Sequence, residues 1–344
     1  MRKALVQLLQ TPDNPFPSKP TVIEVKAGDG VSLRVAHWRP TERRVRGTVC
    51  ILQGRAEFIE RYFETIIDLR RRGFAVVAFD WRGQGGSGRE IDNPKKGHVR
   101  DFSRYRLDLE AVRAQVLEPL MPKPHFALAH SMGGAIALWA AREGWLPFER
   151  LVATAPMIEL CLVRVTRMTR TSARLLRWLG FGKSFIPGGG ETSLATKPFE
   201  GNRLTGDSRR HARNAALATA MGEGAIGDPT IAWTDAAFRL MGRLQDPRFA
   251  LAVRTPTLIV AAGADPICAT PAIERFAARL KAGHAIVLPG SRHEILMEND
   301  VIRSEFWAAF DAFVPGTPDP SWSRSNVEKA EHGLMEAAVA GGDD

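Results

Sequence analysis

The chain has 344 residues, 44% of them hydrophobic and 25% charged, enough apolar content for a sizeable buried core in a globular protein. Its three cysteines, Cys50, Cys161 and Cys268, are far apart and form no Cys-x-x-Cys pair, which argues against a disulfide framework or a zinc site and fits a reducing cytoplasm. The formal net charge of +9 allows an anionic partner, nucleic acid or anionic lipid, without choosing between them.

The first residues carry a brief apolar run that Gln7 interrupts and Pro12 and Pro15 follow, too short for a signal peptide, and no apolar run is long enough to span a bilayer. Residues 21–26 and 31–38 alternate apolar and polar side chains around Gly28-Asp29-Gly30 and predict a hairpin at a sheet edge. A buried strand over 47–53, an amphipathic helix over 58–72 and a second buried strand over 74–80 follow. The next turn, Gly83-Gln84-Gly85-Gly86-Ser87-Gly88, has the spacing of a dinucleotide-binding loop. That reading fails, because Asn93-Pro94-Lys95-Lys96-Gly97 stands where a helix should open and no acidic residue ends a second strand about twenty residues on.

A helix over 101–117 leads to a strand over 126–129, a helix from Met132 to a glycine stop at Gly144, and a strand over 151–155. Buried strands alternating with helices predict an α/β fold, a mostly parallel sheet with helices on both faces. From about 157 to 246 the strands lapse, and helical stretches over 207–221 and 229–242 predict a helical insertion. The alternation resumes with a strand over 257–262, a helix over 271–280, a strand over 285–288 and a helix over 304–313. The expected organisation is a core formed by residues 1–156 and 247–314, a helical cap over 157–246 and a flexible tail over 315–344.

Ala129-His130-Ser131-Met132-Gly133 sits where the strand turns abruptly into the helix. This is the pattern of a nucleophile elbow, with alanine for the first glycine, and it lifts a serine oxygen above the sheet at a helix N-terminus. A serine nucleophile needs a base and a group that orients the base. Asp265 follows the strand over 257–262 and His293 follows the strand over 285–288, so the chain order is Ser131, Asp265, His293, the order expected of α/β-hydrolases. An oxyanion hole is expected from the backbone amides of Met132 and of Arg55, the latter in the loop after the strand ending at Gln53. Asp80 also ends a strand, but it precedes the serine, and its expected role is to hold its own glycine-rich turn.

Four stretches together resemble the bacterial lysophospholipase and monoacylglycerol lipase branch of the α/β-hydrolases. They are Gln-Gly-Arg-Ala-Glu-Phe-Ile-Glu-Arg-Tyr (53–62), Asp-Trp-Arg-Gly-Gln-Gly-Gly-Ser-Gly (80–88), Ala-His-Ser-Met-Gly-Gly (129–134) and Ser-Arg-His-Glu-Ile-Leu-Met (291–297), within a likeness covering about 23–315. The resemblance implies hydrolysis of carboxylic esters of single-chain lipids, a helical cap and no cofactor or metal. Gln53 stands where many monoacylglycerol lipases have histidine, and Ala129 where most have glycine. A peptidase or amidase of the same fold, or a binding protein that kept the fold without turnover, are the alternatives.

Within the insertion Arg164, Arg167, Arg170, Arg174 and Arg177 recur at three- and four-residue steps, with Leu175, Leu176, Trp178 and Leu179 largely elsewhere around the helix. Such a helix is either a solvated cap face or a peripheral contact with anionic lipid at the inner membrane face. No nucleic-acid motif accompanies the charge, and the sequence does not fix the oligomeric state.

Overall fold

The computed structural model describes residues 7–42, 44–161 and 167–314; the expected tail over 315–344 and Arg164 lie outside the described residues. One eight-stranded sheet runs in the order β1-β2-β4-β3-β5-β6-β7-β8. Its strands are β1 (Thr21–Lys26), β2 (Ser32–Trp38), β3 (Thr48–Leu52), β4 (Ala75–Phe79), β5 (His125–His130), β6 (Arg150–Thr154), β7 (Thr257–Ala262) and β8 (Gly283–Leu288). β1 pairs antiparallel with β2 and β2 antiparallel with β4, while the pairs from β4 through β8 are parallel.

The continuous apolar runs of the inner strands follow from burial on both faces. Along β3, Cys50 and Leu52 join one core layer while Val49 and Ile51 join the other, and β5 divides the same way. The helices in chain order are α1 (Phe63–Arg71), α2 (Ser103–Val112), α3 (Glu118–Leu120), α4 (Ser131–Glu143), α5 (Arg167–Trp178), α6 (Ser208–Met221), α7 (Ile231–Leu244), α8 (Pro247–Leu251), α9 (Thr270–Ala277) and α10 (Asp300–Phe313). α1 and α10 supply Phe63, Ile66, Phe306 and Phe310 to one layer, and α2, α4 and α9 cover the other face.

Several boundaries differ from those the sequence predicts. The helix expected over 58–72 opens with a 3-10 turn, Ile59–Tyr62, and the one expected over 101–117 passes through a π turn, Arg113–Leu117, before α3. α10 starts four residues earlier than expected because Asn299 caps it, its Oδ1 accepting from the amides of Val301 (3.1 Å) and Ile302 (3.2 Å). β8 is a half-exposed strand at the sheet edge. The glycine stop of α4 is as expected, with Gly144 in the left-handed region at φ 78°.

Between β6 and β7 the described residues form α5 to α8 and contribute no strand to the sheet. This segment is tied across the top of the sheet. Gly85 N donates to Gly224 O (3.0 Å), Thr230 N to Gly97 O (3.0 Å) and Glu294 N to Leu204 O (2.7 Å). Leu217, Ala218 and Met221 of α6 pack on Phe58. No helix among the described residues is long and apolar enough to cross a membrane.

Candidate active site

β5 ends at His130, and Ser131 opens α4 with φ 48°, a left-handed backbone that costs a non-glycine residue about 1–3 kcal/mol. The turn is possible only because its neighbour is bare. A Cβ on Gly133 would lie 2.2 Å from Leu52 O and 2.6 Å from Gln53 O, so the helix could not approach the end of β3. Ala129, the departure from the usual glycine, is fully buried in the sheet.

The three sequence-predicted residues meet. His293 Nε2 lies 2.9 Å from Ser131 Oγ, and His293 Nδ1 lies 2.8 Å from Asp265 Oδ2. The other carboxylate oxygen of Asp265 accepts from the amides of Ile267 (2.8 Å) and Cys268 (3.0 Å), fixing the acid from its own turn. Burial is the largest influence on Asp265 and raises its pKa, but the hydrogen bond and charge of His293, with those amides, outweigh it and hold the carboxyl below its usual value. For His293, burial again acts first and lowers the pKa; the hydrogen bond and charge of Asp265, with Glu294 and Glu57, more than reverse it and leave the imidazole above its usual value.

Both Asp265 oxygens and both His293 nitrogens are therefore engaged. The Cys268 thiol comes within reach of the same atoms, since potential ligand atoms of Asp265, Cys268 and His293 lie within 4.8 Å of one another. Burial pushes the pKa of that thiol well up, which keeps it a neutral neighbour of the serine.

Residues 43–300 match the family described as serine aminopeptidase, S33. The chain belongs to that family. Lysophospholipase L2 of Escherichia coli (strain K12) is 33% identical over 292 residues, 80% of this chain and 83% of that protein. Probable lysophospholipase L2 of Haemophilus influenzae is 26% identical over 289 residues, 83% and 88% respectively. A solved soluble variant of monoglyceride lipase from Saccharomyces cerevisiae, in complex with a substrate analog, aligns with a TM-score of 0.68 at 20% identity, covering 87% of this chain and 98% of that one. The chain is an α/β-hydrolase of the lysophospholipase and monoacylglycerol lipase branch.

The two residues whose amides are expected to receive an oxyanion, Met132 and Arg55, follow β5 and β3. Met132 is the second residue of α4, so its amide is one of those a helix start leaves without an intrahelical acceptor. Arg55 follows β3; its guanidinium is drawn away to the carbonyl of Gly227 and lies 5.3 Å from the centre of the Trp233 ring. Asp80 is committed elsewhere. Its carboxylate takes the amides of Ile59 (2.9 Å) and Gly86 (2.7 Å) and pairs with Arg34 (2.6 Å). The glycine-rich turn thus wraps a carboxylate, and a Cβ on Gly85 would fall 2.2 Å from it.

Sequence reasoning assigned no role to a buried ring of groups around His293. Arg61 grips Glu294, the residue after His293, at 2.7 and 2.6 Å. Glu57 accepts from Gly54 N (2.5 Å) and Tyr62 OH (2.6 Å). His130 lies with its ring centre 4.9 Å from that of His293, and burial, helped by His293, pushes its pKa down to about 3, so it stays neutral beside His293. The signal was present in the Glu57, Arg61, Tyr62 and Glu294 positions of the runs that carry the family resemblance.

Arg170 and Arg177 are half-buried against α7, Arg177 pairing with Asp235 at 2.6 Å, while Arg167 and Arg174 are exposed. The apolar side faces solvent: Met168 is 74% exposed and Trp178 79%, with Leu175 and Leu179 beside them. α7 offers Asp235 and the bare backbone of Gly242 as the seat for guanidinium groups, and that decides which side turns in.

Proposed function

We propose that this protein hydrolyses carboxylic esters of single-chain lipids, lysophospholipid or monoacylglycerol, through an acyl-enzyme on Ser131. The observation that carries the reading is the relay of 2.9 and 2.8 Å from Ser131 through His293 to Asp265, in a chain 33% identical to a lysophospholipase. His293 Nε2 takes the proton of Ser131 Oγ as that oxygen attacks the ester carbonyl, and the amides of Arg55 and Met132 receive the oxyanion. On collapse His293 returns the proton to the departing alcohol. Water, deprotonated by the same imidazole, then releases the fatty acid, while Asp265 keeps Nδ1 protonated and steadies the imidazolium.

Residues 157–246 act as the cap in this reading, over a core of 1–156 and 247–314. Gln53 and Asn214 are buried with both amide atoms unpartnered among the described residues. Buried polar groups ordinarily have partners, so these favour a substrate with hydroxyls or a polar head over a purely apolar ester. Wild-type rates on lysophosphatidylcholine, monoacylglycerol, a short ester and an aminoacyl amide test the assignment. Preference for the two lipids supports it; preference for the amide establishes the peptidase alternative.

Peripheral contact with an anionic bilayer at the inner membrane face is the second reading, and the outward apolar side of α5 favours it. Met168, Leu175, Trp178 and Leu179 would enter the interface, with exposed Arg167 and Arg174 beside the headgroups, each adding about 1 kcal/mol of salt-screened attraction. Leu175→Ser with Trp178→Ser should abolish binding to phosphatidylglycerol vesicles and leave short-ester hydrolysis intact. Unchanged vesicle binding would overturn it.

A further inference from the structure

A groove of about 890 Å³ opens between α4, α5, α7 and α8, and it contains none of the triad. Arg142, on its rim, is eleven residues beyond Ser131 on α4, about 16 Å along the helix axis. Six arginines and three carboxylates line it. Each carboxylate already has an arginine partner: Glu143 has Arg142, Asp246 has Arg248 at 3.1 Å, and Asp235 has Arg239 at 2.7 Å as well as Arg177.

Arg170, Arg174 and Arg243 are left without a carboxylate among the described residues. Residues 162–166, just before α5, are Leu-Val-Arg-Val-Thr and contain none either. Arg170 reaches Gln245 Oε1 at 3.4 Å, and its Nε is buried with no partner. Its guanidinium lies over Gly242, where a Cβ would come within 3.0 Å of it. Arg243 sits 6.0 Å from the centre of the Trp139 ring. Three arginines without carboxylate partners lining one concave surface make it electropositive, and a multiply charged oxyanion neutralises that charge. Guanidinium forks suit phosphate, which can accept two parallel N–H bonds from each.

We infer that this groove is a second binding site, taking the phosphate of a phosphomonoester or phosphodiester, separate from the site of ester cleavage. Phe238 and Phe249 give it apolar walls, so the ligand has room for a glyceryl or acyl portion beside the phosphate. The volume falls within the range of small-molecule sites and exceeds the needs of a free inorganic ion.

The test is calorimetric titration at low salt with glycerol 3-phosphate, alongside flotation with phosphatidylglycerol and with phosphatidylcholine vesicles. The proteins are the wild type, a variant carrying Arg170→Gln and Arg243→Gln, and a charge-matched control with Arg254→Gln and Arg279→Gln. Saturable binding of glycerol 3-phosphate, at least tenfold weaker in the groove variant and unchanged in the control, supports a site for soluble phosphate esters. Binding of phosphatidylglycerol vesicles alone, lost in the groove variant only, supports the same site with a lipid headgroup as its source. No binding to either at low salt, equal binding by the groove variant, or equal loss in the control overturns the inference. Short-ester hydrolysis, expected unchanged in all three proteins, verifies folding.

Discussion

Arg61 and Glu294 face each other across the site with two hydrogen bonds of 2.7 and 2.6 Å, joining the 3-10 turn after β3 to the residue that follows His293. Both side chains are almost fully buried. Breaking such a pair from one side leaves an uncompensated charge and costs about 3–5 kcal/mol, whereas removing both partners costs much less. Arg61→Met is therefore expected to lower the urea midpoint strongly and Arg61→Met with Glu294→Gln to recover part of it. In the double variant kcat for a short ester should fall while KM changes little, because the His293 loop has lost its tether. Wild-type kcat in a folded double variant would show that the pair only stabilises.

The pH profile carries the sign of the His293 shift. Protonation removes the base, so kcat/KM falls as the pH drops through its pKa. Because Asp265, Glu294 and Glu57 more than offset burial, that acid limb is expected above the ordinary histidine value of about 6.5. Glu294→Gln removes one of the charges responsible and should move the limb to lower pH. A limb below 6 in the wild type, or no movement in the variant, would contradict the electrostatic account.

Two adjacent glycines at the elbow differ in how much they can tolerate. A methyl on Gly133 meets two backbone oxygens at 2.2 and 2.6 Å, which cannot move without disrupting β3, while on Gly134 the nearest contact is Pro156 Cβ at 3.0 Å. Gly133→Ala should cost about 2 kcal/mol or more by thermal unfolding and abolish ester hydrolysis; Gly134→Ala should retain most of both. Equal tolerance at the two positions would mean the elbow is not built as described.

The sheet, the helix order and the meeting of Ser131, Asp265 and His293 were legible because each rests on a local pattern: a strand of the sheet is a continuous apolar run, and the three residues each follow such a run, although the last, β8, is half-exposed at the sheet edge. What escaped was decided by tertiary partners. Nothing in the spacing of Arg167 to Arg177 says which side of α5 packs inward; Asp235 and Gly242, more than fifty residues on, decide it. The role of Arg61 escaped for the same reason, since its partner lies 233 residues away.

Glu64 clamps the insertion to the core by accepting from Arg210 (2.5 Å) and Arg213 (2.8 Å) of α6. Burial alone would raise its pKa, but these arginines and Arg303 hold it at about 2, below the ordinary 4.5. Since the folded value is the lower one, the clamp stabilises fully above the unfolded pKa and is lost as the pH falls through about 2. The stability difference between wild type and Glu64→Gln, measured by urea unfolding, should be constant near neutrality and shrink between about pH 5 and pH 2. A difference independent of pH in that window would contradict the charge-based clamp.

The central claim is that Ser131 is the nucleophile in ester cleavage. Its most direct test is the turnover of lysophosphatidylcholine by Ser131→Ala, with circular dichroism confirming the wild-type fold. The substitution removes one hydroxyl from a turn whose backbone alanine can also adopt, so the protein should stay folded while turnover drops on the order of a million-fold. A folded Ser131→Ala protein whose turnover falls less than about tenfold would contradict the account, because the residual rate without a nucleophile comes only from binding and the oxyanion donors.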